Sequence, residues 1–466
     1  MIISTAYGKI EGMKQGNCIV FKGVPYAKPP VGALRFHKPL RPDPWEGVYR
    51  ADHYRCKSMQ GKNPRDTFYK KEFYSNPAFE VPMSEDCLYL NIWVPCPGEE
   101  PADATCPGGE PGGGKLPVAV YVHGGAFLGG AGSNLPFVCD GLVSAGVIVV
   151  TINYRLGALG FLCHPLLAVE GENGAGGNYG LWDQIAAIEW VRENIGAFGG
   201  DAANLTVFGQ SAGAMSLQAL AVSPRTKGLF QRMILQSGGG YRNPLGQQRE
   251  IETASGFAED LLAELGIRDG EWKQSEAARR KALAALYETP EEEMMQAAEA
   301  ALIQAFAQKK GMPYVPVIDG ELLPAACDRL IEAGAFHPIS YLLSANGDDI
   351  TTEQEKEHTP ETNPLHQANL AYAQIVNQNP DARAYACYFD RKLPGDESGA
   401  FHSAELWYVF GSLRYCWRPM EEADYDLSRR MIAYWSNFMK TGDPNGEGAK
   451  EWRVCTAKDP YYMTLR

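Results

Sequence analysis

Ser211 has the residue type and the local pattern of a catalytic nucleophile. It is the central residue of Gly209-Gln-Ser-Ala-Gly213, which follows the apolar run 205–208 and precedes the apolar-rich segment 212–221. The pattern G-x-S-x-G between a strand and a helix is typical of a nucleophile elbow. The two glycines leave room for a cramped, strained turn that lifts the serine hydroxyl above the edge of a sheet. We therefore predict Ser211 as the nucleophile.

A second glycine-rich turn could stabilise an anionic oxygen. His123-Gly-Gly-Ala-Phe127 follows the apolar run 118–122 and lies upstream of the elbow. Small residues let backbone N–H groups approach an oxyanion without a side chain intervening, and we predict the N–H groups of Gly125, Ala126 and Ala212 as the donors. A phosphate loop is disfavoured, because the sequence has neither G-x-G-x-x-G nor a Walker lysine.

A serine hydroxyl is a weak nucleophile at neutral pH and needs a general base. His402, which follows Gly399-Ala-Phe late in the chain, is the candidate base. The carboxylate that orients it is expected between Ser211 and His402, on a loop after a strand. The apolar run 341–343 is followed by Ser-Ala-Asn-Gly and then Asp348 and Asp349, so local spacing leaves both aspartates as candidates.

The elements that must position these residues alternate between strands and helices. Continuous apolar runs bounded by glycine or proline are typical of strands buried on both faces, and they occur at 118–122, 147–152, 205–208 and 233–235. Between the second and third runs, apolar residues at 181, 185, 188, 191 and 195 form one face of a helix. This order predicts an α/β fold with a mostly parallel central sheet and helices on both faces.

Two segments interrupt the alternation. Residues 97–114 are rich in proline, glycine and acidic residues, which predicts a surface loop. Residues 250–310 are helical in pattern, and the sequence around Thr289 and Pro290 predicts an N-cap followed by proline at the first helical position. We interpret residues 245–335 as a helical lid or cap within one domain, rather than as a separate domain.

Composition excludes several classes of protein. The chain of 466 residues fits one large α/β domain spanning 1–466, and its net charge of −13 disfavours binding to nucleic acid. No apolar run approaches the length of a membrane-spanning helix, and the N-terminal residues lack the pattern of a signal peptide. The eleven cysteines include no C-x-x-C pair. We therefore expect a cytoplasmic protein with reduced cysteines, no metal and no membrane partner, present as a monomer or a weak homo-oligomer.

Several longer motifs, in order along nearly the whole chain, resemble the type-B carboxylesterase and cholinesterase-like branch of the α/β-hydrolases. They are Phe21-Lys-Gly-Val-Pro-Tyr-Ala-Lys-Pro-Pro-Val-Gly-Ala-Leu-Arg-Phe36, Ser84-Glu-Asp-Cys-Leu-Tyr-Leu-Asn91, Gly177-Asn-Tyr-Gly-Leu-Trp-Asp-Gln184, Phe198-Gly-Gly-Asp201, Phe208-Gly-Gln-Ser-Ala-Gly213, Gly399-Ala-Phe-His-Ser-Ala-Glu-Leu-Trp-Tyr-Val-Phe-Gly411, and Tyr434-Trp-Ser-Asn-Phe through Thr441-Gly-Asp-Pro-Asn445. The resemblance implies the α/β-hydrolase fold and a serine carboxylic ester hydrolase that acts on a small-molecule ester through an acyl-enzyme, without a cofactor.

The resemblance also implies roles for single residues. Ser211 would be the nucleophile, His402 the general base and Asp349 the orienting acid, since Asn346-Gly-Asp-Asp349 lies where the family has Asn-x-Asp-Glu. Asp348 would then be a structural neighbour. The chain departs from the family in having Asp rather than the common Glu at 349, and Gln210 where a Glu usually precedes the serine.

Further features of the family narrow the expected function. Choline-specific members hold a quaternary ammonium on a Trp upstream of the second signature, but this chain has no Trp between Cys56 and Glu85, which disfavours a cholinesterase. Cys56 and Cys87 resemble the family's extracellular disulfide pair, yet we expect free thiols here. Arg35 and Glu85 are predicted to form a structural ion pair. A non-catalytic adhesion-type member, an amidase and a specialised esterase for feruloyl or acetylated sugar esters remain as alternatives.

Overall fold

The computed structural model describes residues 1–61, 67–96, 114–168, 176–246, 248–268, 270–350 and 358–466. The surface loop predicted at 97–114 lies outside the described residues, except for Gly114. No helix in the described part of the chain is both long and apolar enough to cross a membrane.

Short, mostly apolar segments form the strands of the described chain. They are β1 (Ile2–Thr5), β2 (Gly8–Glu11), β3 (Met13–Gln15), β4 (Cys18–Pro25), β5 (Val48–Arg50), β6 (Tyr89–Pro95), β7 (Leu116–Val122), β8 (Ile148–Ile152), β9 (Gly200–Gln210), β10 (Arg232–Gln236), β11 (Arg249–Glu250), β12 (Val317–Ile318), β13 (Ser340–Asn346), β14 (Arg383–Phe389) and β15 (Met463–Leu465).

The central sheet has the strand order β15-β14-β13-β10-β9-β7-β8-β6-β4-β3. Neighbours from β15 to β8 pair in parallel, whereas β6, β4 and β3 extend the sheet as antiparallel strands. The four apolar runs of the sequence correspond to β7, β8, β9 and β10, which lie side by side in the middle of this sheet. All five residues of β8 are buried, as expected for a strand covered on both faces. The prediction of a mostly parallel sheet is confirmed.

Helices cover both faces of the sheet. They are α1 (Phe68–Phe73), α2 (Asp140–Ser144), α3 (Gly157–Phe161), α4 (Tyr179–Asn194), α5 (Ala212–Ala221), α6 (Ile251–Glu264), α7 (Glu276–Glu288), α8 (Glu291–Ala307), α9 (Cys327–Glu332), α10 (Pro364–Val376), α11 (Leu406–Phe410) and α12 (Glu422–Thr441).

Alternate residues of β7 enter two separate apolar cores. Val120 and Val122 belong to one core with residues of α4 and α5, whereas Ala119 and Tyr121 belong to the other core with residues of α11 and α12. Successive side chains of a strand point to opposite faces, so one apolar strand contributes to both layers. The predicted helical stripe lies on α4, where Leu181, Ile185, Ile188 and Val191 are buried, and Ile195 is buried in the turn that follows.

The segment predicted as a lid contains α6, α7, α8 and α9, together with the short parallel pair β11 and β12. In α6, Phe257, Leu261 and Leu262 are buried, and Gly266, with φ 73°, follows the end of the helix. The N-cap predicted at Thr289 was wrong by one residue. Thr289 ends α7, where its hydroxyl donates to the carbonyl of Ala285 at 2.5 Å, and Pro290 is the N-cap of α8.

A buried ion pair connects the N-terminal segment with the lid. Arg35 Nε donates to Glu85 Oε2 at 2.7 Å, and Arg35 Nη1 donates to the carbonyl oxygen of Leu286, in α7, at 2.6 Å. The side chains of Arg35 and Glu85 are only 5% and 6% exposed. The predicted structural ion pair is therefore present, and it also caps a carbonyl of a lid helix.

We predict that Glu85→Gln lowers the free energy of unfolding by about 3–5 kcal/mol, because it leaves the buried Arg35 charge without its partner. Urea denaturation of both proteins would measure this difference. Asp426→Asn is the control, since Asp426 pairs with Arg429 on the surface, where both side chains are about 60% exposed and water screens the pair. An equal loss of stability in the two variants would contradict this prediction.

Candidate active site

Ser211 occupies a strained turn between β9 and α5. Its backbone angles are φ 56° and ψ −125°, a conformation that L-residues other than glycine rarely adopt. The Ser211 N–H donates to the carbonyl of Gln236 in β10 at 2.8 Å, which fixes the turn to the neighbouring strand. Strain of this kind persists only where the surroundings impose it, and it is often found at functional sites.

The glycines around Ser211 are required by close backbone contacts. A Cβ on Gly209 would lie 2.8 Å from the carbonyl carbon of Gly213, and a Cβ on Gly213 would lie 2.1 Å from the carbonyl oxygen of Val122. A Cβ on Gly238, after β10, would lie 2.2 Å from the carbonyl oxygen of Ser211. Side chains are therefore excluded on both sides of the serine, as the G-x-S-x-G pattern predicts.

The glycine-rich turn after β7 lies directly against the serine. A Cβ on Gly124 would come within 2.9 Å of Ser211 Cβ. Gly125 and Ala126 have φ values of 112° and 55°, and a Cβ on Gly125 would lie 2.1 Å from the carbonyl oxygen of Gly129. Ala212 is the first residue of α5, where backbone N–H groups have no partner within the helix. Gly125 and Ala126 thus line the same cavity as Ser211, and Ala212 follows the serine directly at the start of α5.

Two side chains that sequence reasoning had not selected hold this turn in place. Gln60 Nε2 donates to the carbonyl of Gly130 at 3.0 Å, and Gln60 Oε1 accepts from the Gly130 N–H at 2.9 Å. His123 Nδ1 donates to the carbonyl of Gly124 at 2.8 Å. Burial lowers the pKa of His123 to about 4, partly opposed by that hydrogen bond, so its ring is neutral at physiological pH. His123 begins the glycine-rich motif and Gln60 belongs to none of the motifs, and neither side chain was predicted to hold the turn.

Asp349 and His402 form a buried pair. His402 Nδ1 is hydrogen-bonded to Asp349 Oδ1. Asp349 Oδ2 also accepts from the N–H of Asn346 at 3.2 Å, and Oδ1 accepts from the N–H of Ile350 at 3.0 Å. Burial lowers the pKa of His402, but the charge of Asp349 and its hydrogen bond outweigh burial, so the net pKa is raised above the usual value.

Asp348 contacts the backbone of the histidine loop instead of the imidazole. Its Oδ2 accepts from the N–H of Ala400 at 2.8 Å, and its own N–H donates to the carbonyl of Ala400 at 3.0 Å. A Cβ on Gly399 would lie 2.1 Å from Asp348 Oδ2, so this contact also requires the glycine. The two adjacent aspartates therefore have different partners, and only Asp349 reaches His402.

The other imidazole nitrogen is close to the residue beside the serine. Gln210 Nε2 lies 3.1 Å from His402 Nε2, so the amide N–H donates to the nitrogen that a base would use. Ser211 and His402 line the same cavity, but in the described structure their two side chains are not hydrogen-bonded to each other. Catalytic hydrogen bonds often form only in the substrate complex, and here Ser211 Oγ would have to displace the Gln210 amide.

Glu405 is a buried acid near the pair that sequence reasoning did not select. Its Oε2 accepts from Asn346 Nδ2 at 2.5 Å, and its Oε1 accepts from Gln236 Nε2 at 3.1 Å. Burial raises the pKa of Glu405 to about 7, although the Asn346 hydrogen bond opposes that shift. The available signal was an acidic residue three positions after His402, in an otherwise apolar stretch.

Ser211 and His402 line a cavity of about 500 Å³. One part of its wall is aromatic, formed by Tyr69, Phe73, Tyr74, Tyr121 and Phe137. Another part belongs to helix α8, in the segment predicted as a lid, which contributes Met295, Ala298, Glu299 and Leu302. The cavity can therefore accommodate an apolar or aromatic group on a substrate whose reacting atom lies at Ser211.

The structure also locates the two cysteines near the N-terminal motifs and the two tryptophans of α4. Cys56 and Cys87 are free thiols, as expected. Trp190 is buried in the core, and Trp182 is partly buried and packs against that core. Neither side chain lines the cavity. Among the described residues, no group of three or more His, Cys, Asp or Glu side chains is arranged to hold a metal ion.

The sequence and the fold are similar to known ester hydrolases. The profile of the Carboxylesterase family matches residues 1–378 and 361–466. The chain is 33% identical to a para-nitrobenzyl esterase of Bacillus subtilis (strain 168), over 97% of this chain and 92% of that protein. It is 36% identical to a fumonisin B1 esterase of Sphingopyxis macrogoltabida, over 75% of this chain and 56% of that protein.

A solved structure of a PNB esterase superimposes with a TM-score of 0.81 at 31% identity, over 100% of this chain and 96% of that chain. The shared fold therefore extends over the whole chain, including the central sheet and the segments that surround the cavity. Together with the family match, this similarity shows that the chain belongs to the carboxylesterase family of the α/β-hydrolases and is a serine hydrolase of carboxylic esters.

Proposed function

We propose that Ser211, His402 and Asp349 are the catalytic triad of this esterase, with the N–H groups of Gly125, Ala126 and Ala212 as its oxyanion hole. The observation that carries the proposal is the convergence of four chain segments beside one cavity. A strained serine, a histidine paired with a buried aspartate and a glycine-rich turn meet there, and the chain order of serine, acid and histidine is that of the α/β-hydrolases.

The geometry supports a two-step mechanism. In acylation, Ser211 Oγ forms a bond to the ester carbonyl carbon while His402 Nε2 accepts the hydroxyl proton. The backbone N–H groups hold the oxyanion, and His402 then protonates the alkoxide that leaves as the alcohol. In deacylation, His402 takes a proton from water, the hydroxide attacks the acyl carbon, and the proton returns to Ser211 Oγ as the acid departs.

Asp349 stabilises the imidazolium that forms in both steps and keeps the Nδ1–H tautomer. The Asp349 side chain is fully buried, and its carboxylate accepts hydrogen bonds from the N–H groups of Asn346 and Ile350. Those donors have no need to reorganise during the reaction, so the stabilisation is available when the charge develops.

We also propose that the chain acts as one hydrolase domain, with residues 245–335 as its lid and an ester bearing an aromatic or apolar group as its substrate. The support is the aromatic wall of the cavity, the contribution of α8 to that wall and the similarity to a para-nitrobenzyl esterase. A panel of p-nitrophenyl esters of graded acyl length would test this substrate class. The feruloyl, acetyl-sugar and amide alternatives would appear as higher kcat/KM on those compounds.

A cytoplasmic location and a monomeric or weakly self-associating state also belong to the proposal. The free thiols of the described cysteines support a reducing compartment. Cell fractionation and sedimentation of the purified protein would test these two points.

We predict that Ser211→Ala keeps the fold and loses ester hydrolysis by a factor of thousands or more, because the covalent step has no nucleophile. Stopped-time assays of p-nitrophenyl acetate hydrolysis and labelling with a fluorophosphonate would measure the loss. A folded Ser211→Ala protein that retained about a tenth of the wild-type kcat/KM, far above the loss expected, would show that Ser211 is not the nucleophile.

The two neighbouring aspartates should behave differently. Asp349→Asn should lower kcat by roughly 10³–10⁴, because an amide permits the wrong imidazole tautomer and removes the stabilising charge. Asp348→Asn keeps an oxygen acceptor for the Ala400 N–H and should cost far less. Parallel kcat measurements, with thermal melts to verify folding, would compare them. The reverse ranking would place the orienting acid at Asp348.

The pH profile should reflect the raised pKa of His402. Since only the neutral imidazole accepts the serine proton, kcat/KM should rise with pH, and its midpoint should lie above the unperturbed value of about 6.5. Glu405→Gln removes one of the charges that raise this pKa, so its midpoint should move to lower pH. A profile that stays flat across neutral pH in wild type, or an upward shift in the variant, would argue against this assignment.

A further inference from the structure

Part of the aromatic wall of the cavity is carried by a helix that cannot be stable alone. Helix α1 has six residues, and Tyr69 and Phe73 on it line the cavity, with Tyr74 just after it. Isolated helices of this length do not form in water, so tertiary contacts must hold α1 in place. Its residue Glu72 is 1% exposed, which is unusual for a glutamate and indicates a specific set of partners.

The Glu72 carboxylate binds side chains from the C-terminal part of the chain. Trp407 Nε1 donates to Oε1 at 3.0 Å, and Trp417 Nε1 donates to Oε2 at 2.8 Å. Arg418 Nε donates to both oxygens, at 3.2 and 3.1 Å. A buried carboxylate is tolerated only when it is both paired and hydrogen-bonded, and Glu72 satisfies both conditions.

The same guanidinium group holds the loop that leads to His402. Arg418 Nη1 donates to Asp396 Oδ1 at 2.8 Å and to the carbonyl of Pro394 at 3.0 Å, and Nη2 donates to Ser398 Oγ at 2.9 Å. The guanidinium also lies over the ring of Phe401, 5.1 Å from its centroid, and Phe401 immediately precedes His402. Phe401 in turn packs edge-on against Phe68 of α1, with ring centroids 4.9 Å apart.

Arg418 suits this position because its planar fork donates in several fixed directions at once, which a lysine ammonium cannot reproduce. Burial alone would raise the pKa of Asp396, but its hydrogen bonds and the charge of Arg418 bring the pKa down to about 2. Asp396 is therefore a negatively charged partner of a cation that is itself 3% exposed.

We propose that Arg418 is a positioning residue with two arms, one that sets the aromatic wall through Glu72 and one that sets the His402 loop through Asp396. The proposal rests on the proposed function, because it assigns the wall to the substrate and His402 to catalysis. These two roles account for the buried charge of Arg418 between helix α1 and the loop before His402. Both of these segments lie outside the central sheet.

The two arms can be separated by substitution. Glu72→Gln weakens the wall arm and leaves the contacts of Arg418 with Asp396 and Ser398 in place. It should therefore reduce kcat/KM mainly for esters that place a ring against the wall. Asp396→Asn weakens the loop arm and leaves the contacts of Arg418 with Glu72 in place, and the partial exposure of the Asp396 side chain keeps the cost to folding small. It should reduce kcat by a similar factor for every ester, because His402 serves them all. Arg418→Lys should show both effects together.

Three esters test these expectations: ethyl acetate without a ring, benzyl acetate with a ring in the alcohol, and ethyl phenylacetate with a ring in the acyl group. Acid release in a pH-stat would give kcat and KM for each. For Glu72→Gln we expect at least one ring-bearing ester to lose about tenfold relative to ethyl acetate, as small displacements of a binding wall can do. For Asp396→Asn we expect all three to lose kcat alike.

Glu85→Gln is the matched control, because it also removes the charge of a buried carboxylate paired with arginine, and neither Glu85 nor Arg35 lines this cavity. It should leave the relative kcat/KM of the three esters unchanged. If Glu72→Gln and Asp396→Asn behave like this control in an active enzyme, the positioning role of Arg418 is overturned while the proposed function stands. A folded wild-type protein inactive on all three esters would overturn the proposed function and this inference together.

Discussion

The close approach of three strand ends around Ser211 is the constraint on which the rest of the structure depends. The ends of β7, β9 and β10 come so near to each other that the backbone of Val122 touches Gly213 and the backbone of Ser211 touches Gly238. In a parallel sheet, the carboxyl ends of adjacent strands share one edge, and the loops that follow them form a common site. The order of the central strands therefore decides which loops can meet the serine.

Buried charge is the second requirement of this site. The Asp349 carboxylate lies in a fully buried side chain, so its attraction to an imidazolium is weakly screened by water. Asn346 contributes to both nearby acids, since its N–H donates to Asp349 and its side-chain amide donates to Glu405. One asparagine at the end of β13 thus supports two carboxylates that raise the pKa of His402. The site combines a strained backbone with a charge arrangement that favours proton acceptance.

Much of the cavity wall comes from segments outside the central sheet. Helix α8 lies close to α6 and α3, and its buried residues include Ala297, Ala298 and Ala301, whose small side chains permit a close approach. Helix α1 is too short for such packing and is held by the Glu72–Arg418 pair. Loops and short helices on a rigid sheet are where related enzymes vary their substrates, because changes there leave the core intact. The catalytic and the substrate-binding parts of this molecule therefore have separate structural origins.

Much of the fold could be predicted from the sequence, because strand and helix periodicity depend on local burial. The runs that became β7, β8, β9 and β10 are apolar throughout, and the face of α4 repeats at helical spacing. The elbow could also be predicted, since the need for glycine around Ser211 is local. The N-cap at Thr289 was misplaced because its hydroxyl has a nearer partner in the preceding helix.

The pairing of polar groups was decided only by the tertiary structure. Periodicity cannot show that Gln210 donates to His402, 192 residues away, or that Glu72 binds Arg418, 346 residues away. Local spacing left Asp348 and Asp349 equivalent, and the family resemblance alone favoured Asp349. Sequence by itself determined the elements, the nucleophile and the turns that need glycine, because these follow from local backbone sterics and burial. Which charges meet depended on the order in which the sheet brings its loops together.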